Sequence, residues 1–432
     1  MRYWIETLGC PKNHVDSDKL EGLLGGDGYS PADSAEEADI VVVNTCAFIE
    51  AARAESIETI LDLEERRKKG ARLVVTGCMA ERYGDELAAA LPEVDQVARF
   101  DESFVAPTPV GIPSRRTNAF DLLNLPRPAA RAPWAYLKIA EGCDRRCGFC
   151  AIPSFRGDQR SRSFDELVSE AEGLVASGVK EIVLIAQDLA SYGHDRRRRG
   201  AGEAIEVLDD GGDQPLIALV NRLTPIVERV RLLYLYPSGL TPQLIDTILA
   251  TNVPYFDLSL QHVSRPLLRN MKRWGDGERF LERIAAIRTA QPLAAFRSSF
   301  IVGYPGETEE DQRLLVEFLE AAQLDWAGFF TYSPEDGTVG ATLPNPVDPQ
   351  LAMERLRELT EVQDRITAAK RDARVGTRHV VLADTATTGR STAEAPEIDG
   401  VIYFDTPQEP GSLLICEITG SRGVDLEATV IK

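Results

Sequence analysis

A chain of 432 residues has room for two to four domains, each with its own core, which excludes a single small module. With 44% apolar and 27% charged residues the composition is that of an ordinary globular protein, and no uninterrupted apolar run reaches the roughly 18 residues that a membrane span requires. The formal charge of -20, from 48 basic and 68 acidic residues, disfavours a general nucleic-acid binder.

The first ten residues end in Leu8-Gly9-Cys10, which has the look of a lipoprotein processing site. Glu6 interrupts the apolar stretch such a signal needs, so the start reads as a strand of a cytosolic protein. From there apolar runs alternate with helical patterns. Strand Tyr3 to Leu8, helix Val15 to Leu24, strand Ile40 to Val43, helix Ala51 to Lys69 and strand Leu73 to Val75 predict an N-terminal parallel α/β domain over 1–105. In such sheets ligands collect beyond the carboxyl ends of strands, and Cys10, Cys46 and Cys78 each follow a strand by two or three residues. Position alone leaves two readings: one ligand shared by three thiols, or three separately buried thiols near a sheet edge.

Residues 106–133 carry Pro107, Pro109, Pro113, Pro126, Pro128 and Pro133, a density that no helix or central strand tolerates, and form a linker. Six β/α units follow, with strands at Tyr136 to Ile139, Glu181 to Ala186, Val230 to Leu235, Tyr255 to Leu260, Ala295 to Val302 and Trp326 to Thr331. They predict a central partial (β/α)6 barrel of the TIM type over 134–371. Within it, the polar stretch His194 to Gly212 reads as a surface insertion with a solvated arginine run. A helix from Leu351 to Arg371 then leads to strands His379 to Leu382, Val401 to Phe404, Leu413 to Ile418 and Leu426 to Val430, predicting a small antiparallel β-barrel over 374–432. The fold class is α/β with a C-terminal all-β part.

The seven cysteines are an odd count, which in a cytosolic chain argues against a disulfide framework. Cys143, Cys147 and Cys150 lie together directly after the first barrel strand, in Glu141-Gly142-Cys143-Asp144-Arg145-Arg146-Cys147-Gly148-Phe149-Cys150. Three thiolates on one compact loop can hold three irons of a four-iron four-sulfur cluster and leave the fourth iron open. Zinc is the competitor, but structural zinc takes four protein ligands, and no fourth Cys or His lies nearby.

This loop, with Phe149 just before its last cysteine and placed on a β/α barrel, resembles the radical S-adenosylmethionine superfamily. The resemblance implies that S-adenosylmethionine binds the open iron and that an electron from the cluster cleaves it to a 5′-deoxyadenosyl radical, while the protein places the cofactor and excludes water. The order of parts, a three-cysteine α/β domain, the barrel and a small β-barrel of TRAM type, is similar to the methylthiotransferases over nearly the whole chain. That resemblance implies a second, auxiliary cluster on Cys10, Cys46 and Cys78 that presents the sulfur to be inserted.

Gly9-Cys10-Pro11-Lys12-Asn13, Val15-Asp16-Ser17, Asn44-Thr45-Cys46-Ala47-Phe48-Ile49, Cys150-Ala151-Ile152-Pro153-Ser154-Phe155-Arg156-Gly157 and Ala186-Gln187-Asp188 resemble the RimO-type, ribosomal-protein branch. The substrate so implied is an aspartate of small-subunit ribosomal protein twelve, converted to 3-methylthioaspartate at its β-carbon. The tRNA-modifying branch, whose members usually carry Gln-Met-Asn or a related triplet after the first cysteine, is the alternative; it would act on an adenosine. Residues 374–432 carry five basic against nine acidic residues, which suits a basic protein partner better than tRNA. A reductant such as flavodoxin or ferredoxin and a sulfur donor are further implied partners, with no membrane partner and a cytoplasmic location.

Polar residues at the barrel rim normally belong to the site. They are Gln187, Asp188, Gln261, His262, Arg297 and the run Gly303 to Glu307. By resemblance Gln187 and Asp188 face the methionyl part of S-adenosylmethionine, and Arg297 pairs with its carboxylate; each has a loop-capping or core hydrogen bond as its alternative. Glu307 reads as a cap for the next helix. Two departures touch the substrate channel: Ser259, where this family commonly has Pro, and the arginine-rich insertion. His14, His194 and His379 lack partners at metal-ligand spacing, and Cys416 reads as buried. A non-catalytic iron-sulfur or zinc protein is the rival from another class; it predicts metal without turnover of S-adenosylmethionine.

Overall fold

A computed structural model describes residues 1–104, 121–198 and 214–431. Two compact units emerge: 1–129 with 140–144 and 151–162, and 130–139 with 145–150 and 163–432. Residues 106–120 of the expected linker and 199–212 of the expected insertion lie outside the described residues. The start of that insertion, His194–Arg198, is a short helix.

In the first unit, β1 (Arg2–Thr7), β2 (Ser30–Pro31), β3 (Ile40–Thr45), β4 (Arg72–Gly77) and β5 (Gln96–Val97) form a parallel sheet in the order 2-1-3-4-5. Helices α1 (Pro11–Gly26), α2 (Glu50–Arg66) and α3 (Cys78–Ala90) alternate with them. Central β3 is buried along its whole length. Its Val41 and Val43 pack with Ile60, Leu63 and Leu87, while Ile40 and Val42 pack with Leu20, Leu24 and Leu122 on the opposite face. A strand covered on both faces reads as a continuous apolar run, which is why this element was legible.

The strands outlast their apolar residues. Asn44 pairs with Thr76 and Thr45 with Gly77, so the ladder carries β3 and β4 through polar residues. Cys46 therefore follows β3 directly and Cys78 opens α3, closer to the strand ends than hydrophobicity alone predicts; only Cys10 keeps a short gap.

Strand β6 (Trp134–Lys138) opens the second unit. The antiparallel pair β7 (Ala140–Glu141) and β8 (Arg160–Ser161), with α4 (Ile152–Phe155) between them, belongs to the first, where Ala151 and Phe155 join the core beside Cys78 and Met79.

The second unit continues with β9 (Glu181–Ile185), β10 (Arg229–Leu232), β11 (Tyr255–Gln261), β12 (Ala295–Val302) and β13 (Trp326–Thr331). Strands β6, β9 and β10 make one parallel sheet and β11 to β13 another, joined by a bridge between Leu235 and Leu258; among the described residues β6 and β13 are not paired with each other, so the barrel is partial. Around it run α5 (Phe164–Ala176), α6 (His194–Arg198), α7 (Pro215–Leu223), α8 (Pro242–Ala250), α9 (Arg265–Asn270), α10 (Gly277–Ala290), α11 (Glu309–Ala322) and α12 (Pro349–Asp372). Five of them, α5, α8, α10, α11 and α12, start at side chains that accept orphan backbone N–H groups: Ser163, Thr241, Asp276, Thr308 and Asp348. Thr308, with Asp311 completing a capping box, therefore holds the role expected of Glu307.

Strands β14 (Arg378–Ala383), β15 (Thr388–Arg390), β16 (Ile402–Phe404), β17 (Leu413–Arg422) and β18 (Asp425–Val430) close into a barrel in the order 14-15-16-18-17. Every pair is antiparallel except β16 with β18. Strand β15 was not expected, because three residues including a glycine carry no alternation. Cys416 is buried in this barrel's core with Val381, Ile402 and Leu426.

The segment from Arg390 to Asp399 is bonded to barrel residues. Arg229 Nη1 donates to the Arg390 carbonyl at 3.1 Å, Arg231 Nη1 to Thr392 at 3.0 Å, Tyr136 Oη to Pro396 at 3.1 Å and Trp326 Nε1 to Ala393 at 2.8 Å. Among the described residues no helix is long and apolar enough to cross a membrane.

Candidate functional site

The first cysteine trio lies wholly within the first unit. Cys10 is the N-cap of α1 and Cys78 the first residue of α3, so two of the three thiols sit at helix N-termini, where negative charge is favoured. Gly77, at φ +92°, makes the turn into α3; a Cβ there would lie 2.4 Å from Asn44 Oδ1 and 2.6 Å from the Thr45 backbone nitrogen. Gly9 is equally tight, since its Cβ would approach Cys46 Sγ to 3.0 Å.

Asn13 ties the cysteine-bearing loops together. Its Nδ2 donates to the carbonyls of Leu8 at 2.8 Å and Thr45 at 3.0 Å, and its own carbonyl accepts from Asn44 Nδ2 at 2.9 Å. The Cys46 N–H donates to Ser56 Oγ at 3.1 Å. Burial pushes the Cys46 thiol up to about 12 and the Cys78 thiol upward as well, with Cys10 acting on both in the same direction. Arg156 opposes the rise at both. Its Nη2 and Nε donate to Cys78 Sγ at 3.0 and 3.3 Å.

Two thiols that burial makes costly to ionise, Cys46 and Cys78, lying with Cys10 near a buried guanidinium and two helix N-termini, suit a positively charged metal group that takes them as thiolates. Among the described residues no three His, Cys, Asp or Glu side chains converge as they would around one ion. A cluster takes one thiolate per iron and so spreads its ligands more widely than a single metal does.

The second cysteine group follows β6. Gly142, at φ +76°, precedes Cys143 where a Cβ would lie 2.3 Å from the Asp158 carbonyl oxygen, and the Cys143 N–H donates to the Gly157 carbonyl at 3.1 Å. Within the second unit the Cys150 N–H bonds back to the Cys147 carbonyl at 3.1 Å. Gly148 is pinned on both sides, donating to Met271 at 2.8 Å and accepting from Gly340 at 2.6 Å. Phe149 packs against Leu267, Met271 and Tyr304, which anchors the turn that carries Cys150.

At the rim, Arg273 Nη1 reaches Cys147 Sγ at 3.5 Å. The guanidiniums of Arg145 and Arg273 both lie over the Tyr236 ring, 3.9 and 4.0 Å from its centroid. Asp188 is buried; its Oδ2 accepts from Arg145 Nε at 2.8 Å and Ser191 Oγ at 2.6 Å. Its Oδ1 is buried with no hydrogen-bond partner among the described residues, an orphaned acceptor suited to a donor on a bound ligand. Gln187 stands beside it, half-buried, beyond the end of β9. Gln261 ends β11 at φ +71°, where the pairing with β12 is irregular. Such strain in a non-glycine residue is a recurrent mark of functional rims.

Two rim expectations change. Arg297 is near the start of β12, well short of the rim, and its guanidinium lies 3.5 Å from Asp257 Oδ1 and 3.4 Å from Asp399 Oδ1. Burial works against its charge, but Asp257, Tyr255 and Asp399 outweigh it and raise its pKa, so its charge has counter-charges within the protein. Glu307 accepts from the Gly303 N–H at 2.6 Å and pairs with Arg355 at 2.9 Å, bracing the Gly303 turn from within. His262 is buried, with Nδ1 accepting from the Ser264 N–H at 3.0 Å.

Asn13, Arg145 and Arg156 lie inside the motifs quoted above but carry no role legible from spacing. Tyr236 and Arg273 had no sequence signal, because only the folded barrel brings their loops to the cysteine turn.

Comparison with known proteins follows this architecture. Residues 2–99 match the family described as Uncharacterized protein family UPF0004, residues 137–319 the Radical SAM superfamily and residues 375–431 the TRAM domain. The chain is 41% identical to "Ribosomal protein uS12 methylthiotransferase RimO" of Moorella thermoacetica, across 97% of this chain and 96% of that protein. It is 40% identical to the protein of the same name from Cutibacterium acnes, across 99% and 98%. Among solved structures, the radical S-adenosylmethionine methyltransferase TsrM from Kitasatospora setae aligns with a TM-score of 0.48 and 17% identity, over 78% of this chain and 73% of that one.

Proposed function

This chain belongs to the RimO-type ribosomal protein uS12 methylthiotransferases, and we propose on that footing that it inserts a methylthio group at the β-carbon of a uS12 aspartate, giving 3-methylthioaspartate. The observation that carries this reading is identity of about two residues in five with relatives of that name from end to end. The tRNA-modifying alternative is not favoured.

In this reading Cys143, Cys147 and Cys150 hold one four-iron four-sulfur cluster and Cys10, Cys46 and Cys78 a second. When bound, the first cluster with S-adenosylmethionine supplies the radical that takes the substrate hydrogen, and the second supplies the sulfur. The residues of the chain do the rest. Phe149 and the Gly148 backbone hold the cysteine turn, Asp188 Oδ1 would accept a hydrogen bond from the methionyl part of bound S-adenosylmethionine, and Gln187 and Gln261 border the same rim. Arg145 orients Asp188, and Tyr236 with Arg273 shields the Cys147 side from water. A one-electron donor of the flavodoxin or ferredoxin class, a sulfur donor and a cytoplasmic location complete the proposal.

The test is a competition read by mass spectrometry. Anaerobically reconstituted protein with reductant, S-adenosylmethionine and sulfide is offered the uS12 loop peptide together with bulk unmodified tRNA. A methylthio mass gain on the peptide's aspartate is expected; gain confined to tRNA adenosine would overturn the substrate assignment.

A further inference from the structure

Arg156 is buried in the first unit, where its planar fork is fully engaged. Nη1 donates to Glu141 Oε1 and Oε2 at 2.8 and 2.9 Å and lies 3.4 Å from Asp16 Oδ2. Nη2 donates to Asn13 Oδ1 at 2.7 Å, and the guanidinium carbon lies 4.8 Å from the centre of the Phe100 ring. The remaining edge, Nε and Nη2, is aimed at Cys78 Sγ. A guanidinium serving only to hold the fold would be satisfied by the two carboxylates; this one also turns two donors onto the sulfur of a cysteine in the trio.

We propose that Arg156 is a positioning residue for the auxiliary centre, donating to the sulfur of Cys78 and favouring the reduced, more negative state of the cluster held there. The inference rests on the reading that Cys10, Cys46 and Cys78 carry a cluster. Donors and positive charge beside a cluster's sulfur ligands stabilise added negative charge and thereby raise the reduction potential. Asp16 and Glu141 fix the orientation of the fork, and Phe100 covers it, so the donors are set before an electron arrives. Arg156 also lies in the segment directly after Cys150, so the stretch that follows one cysteine group supplies the donors to the other.

The experiment uses the full-length chain with Cys143→Ala, Cys147→Ala and Cys150→Ala, reconstituted anaerobically so that only the first trio can carry a cluster. Arg156→Gln and Arg156→Lys are added to that background. Iron per chain, the midpoint potential by electron paramagnetic resonance titration, and the rate of iron loss to a chelator are measured. The background should hold roughly four irons. Arg156→Gln should lower the midpoint and speed iron loss at least twofold, and Arg156→Lys, which keeps the charge but not the fork, should recover part of both. Should Arg156→Gln not fold, the lysine variant decides, and its midpoint must still lie below that of the background. Full iron with an unchanged midpoint in the folded variants would overturn the inference alone. A background that binds no iron would overturn the two-cluster reading together with it.

Discussion

Glu181 and Arg390, 209 residues apart in the chain, form a buried ion pair of 3.2 Å between a strand of the partial barrel and the C-terminal β-barrel. Arg231 shares the same carboxylate at 2.6 Å, and Arg229 lies 3.9 Å away. Burial alone would raise the Glu181 pKa, but the three arginines hold it at about 2.

Removing that carboxylate strands three buried guanidiniums. Glu181→Gln should therefore lower stability by roughly 3–5 kcal/mol, the usual cost of breaking a buried ion pair from one side. Thermal unfolding followed by circular dichroism checks this, and a variant melting with the parent would refute it. The folded pKa lies below the ordinary 4.5, so this contribution is present above about pH 4.5 and is lost as pH falls toward 2.

His262 adds an earlier acid step. Burial outweighs the pull of Asp311 and lowers its pKa from 6.5 to about 4. Because the folded value is depressed, the neutral imidazole's contribution is complete above pH 6.5 and is lost as pH falls from there to 4, about 3 kcal/mol in all. His262→Asn, which keeps an acceptor for the Ser264 N–H, should flatten the melting temperature across that window. An unchanged pH profile would show that His262 is not the group responsible.

Arg297 and Asp188 should separate stability from cofactor binding. Arg297→Met leaves Asp257 and Asp399 without their cation and should cost roughly 3–5 kcal/mol of stability while the affinity for S-adenosylmethionine stays within about twofold. Asp188→Asn should do the reverse, weakening S-adenosylmethionine binding about tenfold or more through loss of a charged acceptor. Equilibrium dialysis on reconstituted protein and thermal melts decide between these patterns, and the opposite assignment would return Arg297 to the cofactor site.

The two cysteine groups should fail differently. Cys143→Ala should abolish reductive cleavage of S-adenosylmethionine, whereas Cys46→Ala should leave cleavage within a few-fold of the parent and stop sulfur insertion. Chromatography of 5′-deoxyadenosine beside mass spectrometry of the peptide reads both. Normal methylthio product from Cys46→Ala would sink the two-cluster account.

The side chains of Arg390, Glu394 and Asp399, three of the charged residues within 374–432, are buried, Arg390 against Glu181 and Asp384, Glu394 against Arg371 and Asp399 beside Arg297. The acidity of that barrel's exterior rests on residues such as Asp405, Glu409 and Glu417, and composition alone cannot separate the two sets.

Much of this protein is determined by short-range pattern. Periodicity alone located β12 and β13 to the residue, and the spacing of Cys143, Cys147 and Cys150 marked the loop proposed to hold a cluster. Both are local properties, because side-chain period and ligand spacing along one turn need no partner elsewhere. What the tertiary structure decided is which charges meet. Arg297, expected at the rim, is held by Asp257 and Asp399; Arg156, an unremarked letter of a motif, turns its donors onto Cys78; and Tyr236 with Arg273 reaches the cysteine turn from two separate loops. A long flexible side chain has no periodicity that announces its partner. Its position is set by burial, which penalises an unpaired charge so heavily that the fold must bring a counter-charge or a polar partner to it from wherever the chain can supply one.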